Sequence, residues 1–338
     1  MHDVRIGLIG AGRIGSSHAR LVAERVPGAR LAMVADPRPA AAHALADRFG
    51  AEATDDPAAL LGGDVDAVVI TASSPAHSEL IIAAAQAGKA VFCEKPASMT
   101  LAEADRSLAA VAEAGVVLQV GFNRRFAPDF RAAHDAVAEG AVGSVQLMRS
   151  LTRDPGLADP GSVPPWTIFL QTLIHDFDTL SWLNPGATPV EVYATADALV
   201  APEFKDAGLL DTAVVVITFD NGARAVAEAS FSASYGYDVR AEVFGSGGMV
   251  TAGDGSRTAM VLRDAAGLHQ QTARSDVELL LESYVAELVE FVASVREGRA
   301  PYVGGTDARR ALSLALASIE SVRRAGVVAL DPGTGEVR

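Results

Sequence analysis

Several residue types are scarce in this chain of 338 residues, and each shortage excludes a class of protein. A single cysteine, Cys93, excludes an internal disulfide and a zinc site built from several cysteines. No apolar run reaches the length that spans a membrane, and the first residues lack the basic start and long apolar stretch of a signal peptide. We therefore expect a soluble, cytoplasmic protein with no bound metal and no membrane partner.

Positive charge is also in short supply. The net charge is −14 and the sequence pI is about 4.9, and no segment is rich in lysine or arginine. A protein that binds nucleic acid or an anionic lipid surface carries a basic patch, which is absent here. Nucleic acid is therefore excluded as an expected partner. Lysine is rare, with only Lys89, Lys95 and Lys205 in the chain.

The length suggests two domains, and the first 122 residues have the pattern of a parallel α/β domain. Short β-branched or apolar runs alternate with longer alanine-rich helical stretches, which is typical of βαβ units and predicts a doubly wound Rossmann sheet. The predicted strands are Val4–Ile9, Arg30–Ala35, Ala67–Ile70, Ala90–Cys93 and Val116–Val120. The predicted helices lie near Ile14–Val26, Ala40–Phe49, Ala76–Ala87 and Leu101–Ala114.

Residues 123–338 have a different pattern and predict an α+β domain with a largely antiparallel sheet. A helix at Ala127–Ala138 precedes a group of strands, and helices near Asp276–Arg296 and Thr306–Ala325 follow it. The predicted strands are Ser144–Leu151, Val190–Ala198, Thr212–Phe219, Ala223–Phe231, Val239–Phe244, Met249–Ala252 and Met260–Arg263. The segment from Asp154 to Pro165, rich in proline, predicts a loop beside a site.

A glycine-rich turn follows the first predicted strand. In G-A-G-R-I-G, Gly10 permits a tight turn, Gly12 lets the backbone approach a pyrophosphate, and Gly15 allows close packing of helix and strand. The next strand ends at Asp36, whose carboxylate accepts hydrogen bonds from ribose hydroxyls and repels a 2′-phosphate. The pattern therefore predicts NAD in preference to NADP, although Arg38 could reach a phosphate. The predicted cofactor residues here are Gly10, Ala11, Gly12, Arg13, Ile14, Asp36 and Arg38, with Thr71, Ala72 and Ser73 after the strand at Ala67–Ile70.

Two common classes of dehydrogenase do not fit this sequence. A short-chain dehydrogenase needs a tyrosine followed four residues later by a lysine, and no tyrosine here has one. A zinc alcohol dehydrogenase needs a cluster of cysteine and histidine ligands, which one cysteine cannot supply. Other side chains must therefore serve the reaction.

Two segments carry candidate catalytic groups. In V-F-C-E-K-P, Lys95 follows a predicted strand at the carboxyl edge of the parallel sheet, where ligands bind, and a lysine can polarise a substrate oxygen. In F-L-Q-T-L-I-H-D-F-D, Gln171 and His175 interrupt an apolar segment four residues apart, on one face of a helix. Taken alone, Lys95 is also compatible with an exposed strand end, and His175 with a buried core histidine bonded to Gln171.

Six motifs in order resemble those of the Gfo/Idh/MocA oxidoreductases. Within that family the chain most resembles the inositol 2-dehydrogenases. The motifs are G-A-G-R-I-G, E-K-P, G-F-N-R-R-F from Gly121, T-R-D-P from Thr152, I-H-D-F-D from Ile174 and E-V-F-G-S from Glu242. The resemblance implies NAD(P)-dependent oxidation of a ring hydroxyl of myo-inositol or a related cyclic polyol or sugar. It also implies a homo-oligomer, a dimer or tetramer, formed by the second domain.

The resemblance further implies roles for individual residues. Lys95 binds the reacting oxygen, and His175 is the general base, for which an imidazole is suited near neutral pH. Many family members have an aspartate where this chain has Gln171, which can hold a hydroxyl or the imidazole but cannot stabilise an imidazolium as a carboxylate does. The resemblance places Glu94, Lys95, Pro96 after a cis peptide bond, and Asn123 at the cofactor, and Lys95, Arg124, Asp154, Gln171, His175 and Tyr235 at the substrate.

Some alternatives stay open. Tyr235 and Tyr237 could border the substrate pocket, a subunit contact or the sheet core. The enzyme could act on another sugar hydroxyl. Because Gln171 replaces the usual aspartate, a dinucleotide-binding sensor without turnover is the alternative from another class.

Overall fold

The structure is a computed structural model that describes residues 2–156, 161 and 163–338. Residues 157–160 and 162, which belong to the predicted loop from Asp154 to Pro165, lie outside the described residues. Among the helices of the described residues, none is long and apolar enough to cross a membrane.

The chain forms two compact units. The first contains the residues up to Asn123 together with Glu282–Arg309, and the second contains Arg124–Leu281 and Arg310–Arg338. The sequence prediction assigns all of residues 123–338 to one domain, so the return of Glu282–Arg309 to the first unit differs from it. The physical reason is packing: Phe291 is fully buried, with its ring centroid 5.8 Å from that of Phe92 in the first unit.

A parallel sheet forms the centre of the first unit, as predicted. Its strands are β1 (Val4–Ile9), β2 (Ala29–Ala35), β3 (Glu52–Thr54), β4 (Ala67–Ile70), β5 (Ala90–Cys93) and β6 (Leu118–Val120). The order in the sheet is β3-β2-β1-β4-β5-β6, and the strands are parallel throughout the described pairs. This is the Rossmann order, and the direction of winding reverses between β1 and β4, where such folds bind ligands. Strand β3 was not predicted, because three residues of mixed polarity show no periodic pattern.

Helices connect these strands. They are α1 (Arg13–Glu24), α2 (Pro39–Phe49), α3 (Pro57–Gly62), α4 (His77–Gln86) and α5 (Leu101–Ala114), with a short 3₁₀ turn at Ser74–Ala76. Local signals define several of their ends. Helix α5 begins with a capping box between Thr100 and Glu103 and ends at Gly115 in the left-handed conformation.

A mixed sheet forms the second unit, and its pairing is antiparallel except between two central strands. Its strands are β7 (Val145–Arg153), β8 (Pro189–Asp197), β9 (Thr212–Phe219), β10 (Arg224–Ser230), β11 (Asp238–Gly245), β12 (Gly248–Ala252) and the late β15 (Val328–Ala329). The order is β12-β11-β7-β10-β9-β8-β15, with β7 and β10 parallel. A separate hairpin joins β13 (Ser256–Asp264) to β14 (Gly267–Thr272). The predicted largely antiparallel α+β fold is confirmed.

One face of this mixed sheet is buried and the other is exposed. Along β9, the side chains of Ala213, Val215 and Ile217 are buried while those of Val214 and Val216 point to the exposed face. This alternation is what a strand with one buried face requires.

The remaining helices are α6 (Pro128–Ala138), α7 (Ile174–Trp182), α8 (Asp276–Leu279), α9 (Leu281–Glu297) and α10 (Gly305–Arg324), with 3₁₀ turns at Asn123–Phe126 and Pro202–Ala207. A π-helical segment, Ile168–Leu173, leads directly into α7. Wider turns of this kind inside helices are frequent at functional sites.

Candidate active site

The turn after β1 has the geometry that a dinucleotide requires. Gly10 has φ +107°, and a Cβ placed there would lie 2.6 Å from the backbone nitrogen of Ala72, so only glycine is accommodated. Gly12 begins α1, and a Cβ there would meet no atom within 4 Å. Thr71 donates its hydroxyl to the carbonyl of Gly10 at 2.7 Å, which joins the turns after β1 and β4. The N-terminus of α1 is therefore open to the pyrophosphate of a dinucleotide.

Asp36 is bound to the same turn. Its carboxylate accepts hydrogen bonds from the backbone N–H of Ala11 at 2.8 Å and from the backbone N–H and Nε of Arg38 at 2.9 and 3.0 Å. Burial alone would raise the pKa of Asp36, but the hydrogen bonds from Arg38 and Ala11 outweigh it and hold the pKa below its ordinary value. Asp36 is thus an anion fixed beside the turn, as an acceptor of ribose hydroxyls must be.

The E-K-P turn follows β5 at the same edge of the sheet. The peptide bond between Lys95 and Pro96 is cis, as predicted. His77, buried at the start of α4, lies with Nδ1 2.8 Å from the carbonyl oxygen of Pro96 and Nε2 2.9 Å from that of Ala72. His77 therefore ties the turn after β4 to the E-K-P turn. The sequence contains no motif that would single out His77.

Glu94, in the same turn, is held from two sides. Its Oε1 lies 2.7 Å from Nε2 of His18, and its Oε2 accepts the backbone N–H of Lys95 at 3.2 Å. Burial would raise the pKa of Glu94, but the contact with His18 and the charge of Lys95 lower it overall. His18 was not predicted, although its place on α1, three residues after Gly15, is a signal that could have found it.

Residues Asn123 and Arg124 are adjacent in sequence but belong to different units. Asn123 follows β6 and is buried, and its Oδ1 has no hydrogen-bond partner among the described residues. Arg124 is buried in the second unit, where NH1 donates to Oδ1 of Asp176 at 2.8 Å and NH2 donates to Oγ1 of Thr152. Its guanidinium is therefore engaged with the protein, which the predicted substrate role did not anticipate.

Buried ion pairs fix the start of α7, the region of Gln171 and His175. Asp176 accepts hydrogen bonds from the hydroxyls of Ser150 at 2.5 Å and Thr152 at 2.6 Å as well as from Arg124, and Asp178 pairs with Arg125. His175, half-buried, therefore lies in the first turn of α7 next to residues that are held by buried ion pairs. Gln171, also half-buried, lies in the π-helical segment just before it. The sequence did not assign roles to Asp176 and Asp178.

Asp154 and two tyrosines complete the predicted set. Asp154 follows β7 and donates its backbone N–H to Ser230 at 2.9 Å. Burial, and then the Asp154 carboxylate, raise the pKa of Tyr237 well above its ordinary range, while Arg124 acts in the opposite sense. Tyr235 instead is half exposed, donates its hydroxyl to Asp238 at 2.7 Å, and lines a cavity of about 330 Å³ with Thr212 and Val214. The structure thus groups Tyr237, and not Tyr235, with Asp154 and Arg124.

These observations define a class of protein. The first unit has a six-stranded parallel sheet in Rossmann order, an open glycine-rich turn, an anionic Asp36 and a lysine in a turn at the carboxyl edge of the sheet. This combination is typical of a nucleotide-dependent oxidoreductase.

Comparison with known proteins agrees and gives the family. Residues 4–122 match the oxidoreductase family with an NAD-binding Rossmann fold, and residues 130–251 match the GFO/IDH/MocA C-terminal domain. The chain belongs to the Gfo/Idh/MocA family of NAD-binding oxidoreductases.

Several relatives match over almost the whole length. Myo-inositol 2-dehydrogenase of Thermotoga maritima is 39% identical over 98% of this chain and 100% of its own, and scyllo-inositol 2-dehydrogenase (NAD(+)) of Bacillus subtilis is 35% identical over 98% and 97%. Among solved structures, scyllo-inositol dehydrogenase from Lactobacillus casei with bound NAD(H) and scyllo-inositol has a TM-score of 0.92, with 26% identity over 97% of this chain and 99% of that one.

Proposed function

We propose that this protein is an NAD-dependent dehydrogenase that oxidises a ring hydroxyl of myo-inositol, or of a related cyclic polyol or sugar, to the ketone. The observation that carries the proposal is the E-K-P turn, which holds Lys95 at the carboxyl edge of the sheet. Two contacts secure that turn: Glu94 accepts the N–H of Lys95, and His77 lies at the carbonyl of Pro96. The full-length similarity to inositol 2-dehydrogenases supports a polyol as substrate.

The proposed chemistry assigns one step to each of two side chains. The Nζ of Lys95 binds the reacting hydroxyl oxygen and stabilises the negative charge that develops on it. The imidazole of His175 accepts the hydroxyl proton. NAD, when bound, supplies the acceptor for the hydride, which leaves the carbon that bears the reacting hydroxyl.

Other residues of the second unit support these steps in the proposal. Arg124 acts through Asp176, since their buried ion pair fixes the turn that carries His175. Gln171, Asp154 and Tyr237 contribute hydrogen-bonding groups for further ring hydroxyls, which are the polar features that distinguish one polyol from another. Asn123 offers its buried, unpaired Oδ1 to the cofactor in the first unit.

Two other functions follow from specific features. An oxidoreductase acting on a different sugar hydroxyl would use the same groups with another pocket shape. A sensor that binds the dinucleotide without turnover is favoured by Gln171, because an amide cannot stabilise the imidazolium that a base forms.

A substrate panel separates these possibilities. NAD reduction is measured with myo-inositol, scyllo-inositol, other inositols and common hexoses, using the Lys95→Ala variant as the blank. We expect turnover with at least one inositol and none in the variant. Turnover only with a hexose would support the first alternative, and NAD binding without turnover on any compound would support the sensor.

We also propose that the protein associates with itself through the exposed face of the mixed sheet. Leu147, Phe244 and Met249 are neighbours across β7, β11 and β12, and Tyr193 faces Val216 across β8 and β9, all of them exposed. Exposed apolar groups on one sheet face are typical of an interface, and here they lie among the charged side chains of Arg149, Arg224 and Glu242. Tyr235 lines the cavity beside it, which favours a subunit contact for this residue.

The mass in solution tests this assembly. Sedimentation should show two or four chains for the unmodified protein and a shift toward one chain for Phe244→Glu. Leu262→Glu, at an equally exposed apolar position on the separate hairpin, should not change the mass. An unmodified protein that sediments as a single chain would rule the assembly out.

A further inference from the structure

A buried cluster of three ionisable side chains lies beneath the E-K-P turn. It consists of His18 on α1, Glu94 after β5 and Glu287 on α9, all within the first unit. The exposed fractions are 1% for His18, 9% for Glu94 and 0% for Glu287, and one polar atom of each lies within 4.8 Å of the other two. Neither the cofactor nor the proposed mechanism accounts for His18 and Glu287.

The Glu94 carboxylate links this cluster to the backbone of Lys95. One oxygen contacts Nε2 of His18 at 2.7 Å, and the other accepts the N–H of Lys95 at 3.2 Å. Because an ionised carboxylate only accepts hydrogen bonds, Nε2 of His18 is the donor. The His18 ring is held edge-on against Phe92 and Tyr284, with centroid distances of 5.4 and 5.8 Å, so the direction of its N–H is set by packing.

Glu287 is the unusual member. Neither of its carboxyl oxygens has a hydrogen-bond partner among the described residues, and it is completely buried. Its backbone carbonyl accepts the side-chain amide of Gln119 at 2.7 Å, which fixes α9 at this point. Burial, and then the charge of Glu94, raise the pKa of Glu287 well above its ordinary range. Glu287 therefore keeps its proton to a higher pH than an exposed glutamate does.

A direct hydrogen bond between His18 and Glu94 fits the geometry of this cluster better than a bound metal ion does. Ligands of a tetrahedral zinc ion, each about 2.0–2.1 Å from the metal, lie more than about 3 Å apart. The contact of 2.7 Å between His18 and Glu94 is instead a direct hydrogen bond.

We propose that His18 is a positioning residue for the E-K-P turn: its Nε2–H holds the Glu94 carboxylate against the N–H of Lys95. Glu287 lies next to this contact and makes no hydrogen bond to it among the described residues, so its side chain only fills the space beside the Glu94 carboxylate. The backbone position of Lys95, and hence of its ammonium group, depends on this arrangement. The proposal concerns the turn and its cofactor, and it holds whichever polyol is the substrate.

Matched substitutions separate positioning from simple structural support. Glu287→Gln keeps a neutral side chain of the same size, whereas Glu287→Leu removes its polar group. His18→Gln keeps an N–H donor at the end of the side chain, whereas His18→Leu removes it. Glu282→Gln, on the same helix but exposed and paired with Arg25, is the control.

Two measurements need no substrate: the amide ¹⁵N–¹H resonance of Lys95 in the full-length protein and the affinity for NADH by fluorescence titration. We expect His18→Leu to shift that resonance and to weaken NADH binding about tenfold, the lower end of effects for residues that orient a ligand-contacting group. Turnover of His18→Leu on any substrate found should fall about a hundredfold, because small displacements of a reacting group are costly. His18→Gln keeps the donor, and Glu287→Gln, Glu287→Leu and Glu282→Gln leave the contact between His18 and Glu94 in place, so all four should stay within about twofold of the unmodified protein.

Three results would overturn the proposal. One is a His18→Leu variant that melts at a lower temperature but keeps the Lys95 resonance and the NADH affinity. Another is a Glu287→Leu variant that shifts the Lys95 resonance as much as His18→Leu does, which would show that the turn does not depend on His18 in particular. The third is a stoichiometric metal in the purified protein that is lost with Glu287→Gln.

Discussion

The carboxylate of Asp36 accepts a hydrogen bond of 2.8 Å from the backbone N–H of Ala11. The acidic residue at the end of β2 and the glycine-rich turn after β1 are thus joined directly, 25 residues apart in the chain. The same carboxylate holds the side chain of Arg38 at 3.0 Å. The arginine predicted to reach a 2′-phosphate is thus paired with the carboxylate that repels such a phosphate. Selection of the nucleotide and the shape of the turn therefore depend on the same side chain.

Replacing Asp36 should change the choice of nucleotide. In Asp36→Ser the acceptor for the ribose hydroxyls is lost and Arg38 is released. We expect KM for NAD to rise about tenfold or more, as for loss of a charge-assisted hydrogen bond, and activity with NADP to improve relative to NAD. Steady-state kinetics with both nucleotides measure this, with the exposed Asp47→Asn on α2 as control. Equal kinetics with NAD and NADP in the unmodified protein would contradict the assignment.

Lys95→Ala should abolish turnover with little effect on NAD affinity. Removing one preorganised group at a reacting oxygen costs about 3–4 kcal/mol in the transition state, a loss of several hundredfold or more. Lys89→Ala is the matched control, since its ammonium donates to the carbonyl of Val65 at 2.9 Å and serves stability. That control should lower the melting temperature and keep its turnover per folded molecule. Near-normal turnover in Lys95→Ala would remove this residue from the mechanism.

His175→Ala should reduce turnover about a hundredfold or more, the usual contribution of a general base. The control is His134→Ala on α6, whose ring is stacked on Trp182 with a centroid distance of 4.4 Å. It should lower the melting temperature alone. If both variants behave alike, with lower stability and unchanged turnover, His175 is a core histidine.

Gln171→Asp tests whether that residue acts on His175. A carboxylate near the imidazole favours its protonated form, so the neutral base would appear only at higher pH. The low-pH limb of the rate profile, on which the rate rises as the base loses its proton, should therefore move to higher pH in the variant. Identical profiles for the variant and the unmodified protein would exclude the coupling.

Glu287 should make stability depend on pH in a direction unusual for a glutamate. Its pKa is raised in the folded protein, so above the ordinary range of a glutamate the unfolded chain has lost this proton while the folded protein keeps it. The free energy of unfolding then falls with rising pH, by up to about 1.4 kcal/mol per pH unit in that window. Other ionisable groups lie in or next to the same cluster, namely Glu94, whose pKa is lowered, His18, Cys93 and Lys95. The effect of Glu287 is therefore obtained as the difference in stability between the unmodified protein and a Glu287 variant.

The comparison is between melting curves of the unmodified protein and of Glu287→Gln from pH 5 upward. The stability of Glu287→Gln relative to the unmodified protein should increase as the pH rises through that window. A constant difference across this range would show that Glu287 is ionised in the folded protein.

Much of the first unit could be predicted because its signals are local. The apolar run Val4–Ile9 and the glycines of the following turn lie within a short stretch and act on the backbone next to them, and Asp36 is found at the end of the next strand. The Lys95–Pro96 turn and the strand before it were predicted for the same reason. The strands of the second sheet, such as β9, were also predicted from the sequence, although the parallel pairing of β7 with β10 was not.

The tertiary structure alone decided which distant side chains form ion pairs and hydrogen bonds with each other. His18 and Glu94 are 76 residues apart, and Arg124 and Asp176 are 52 apart, and no periodicity in the chain connects either pair. Glu287 belongs to a helix with an ordinary amphipathic pattern, and tertiary contacts such as those of Phe291 with Phe92 and of Gln119 with the carbonyl of Glu287 place that helix in the first unit. The sequence by itself determined the elements and the turns between them, because backbone conformation and hydrophobic patterning act over a few residues. The partners of buried ionisable groups were decided by the fold, because desolvation and hydrogen bonding depend on atoms that folding brings from distant parts of the chain.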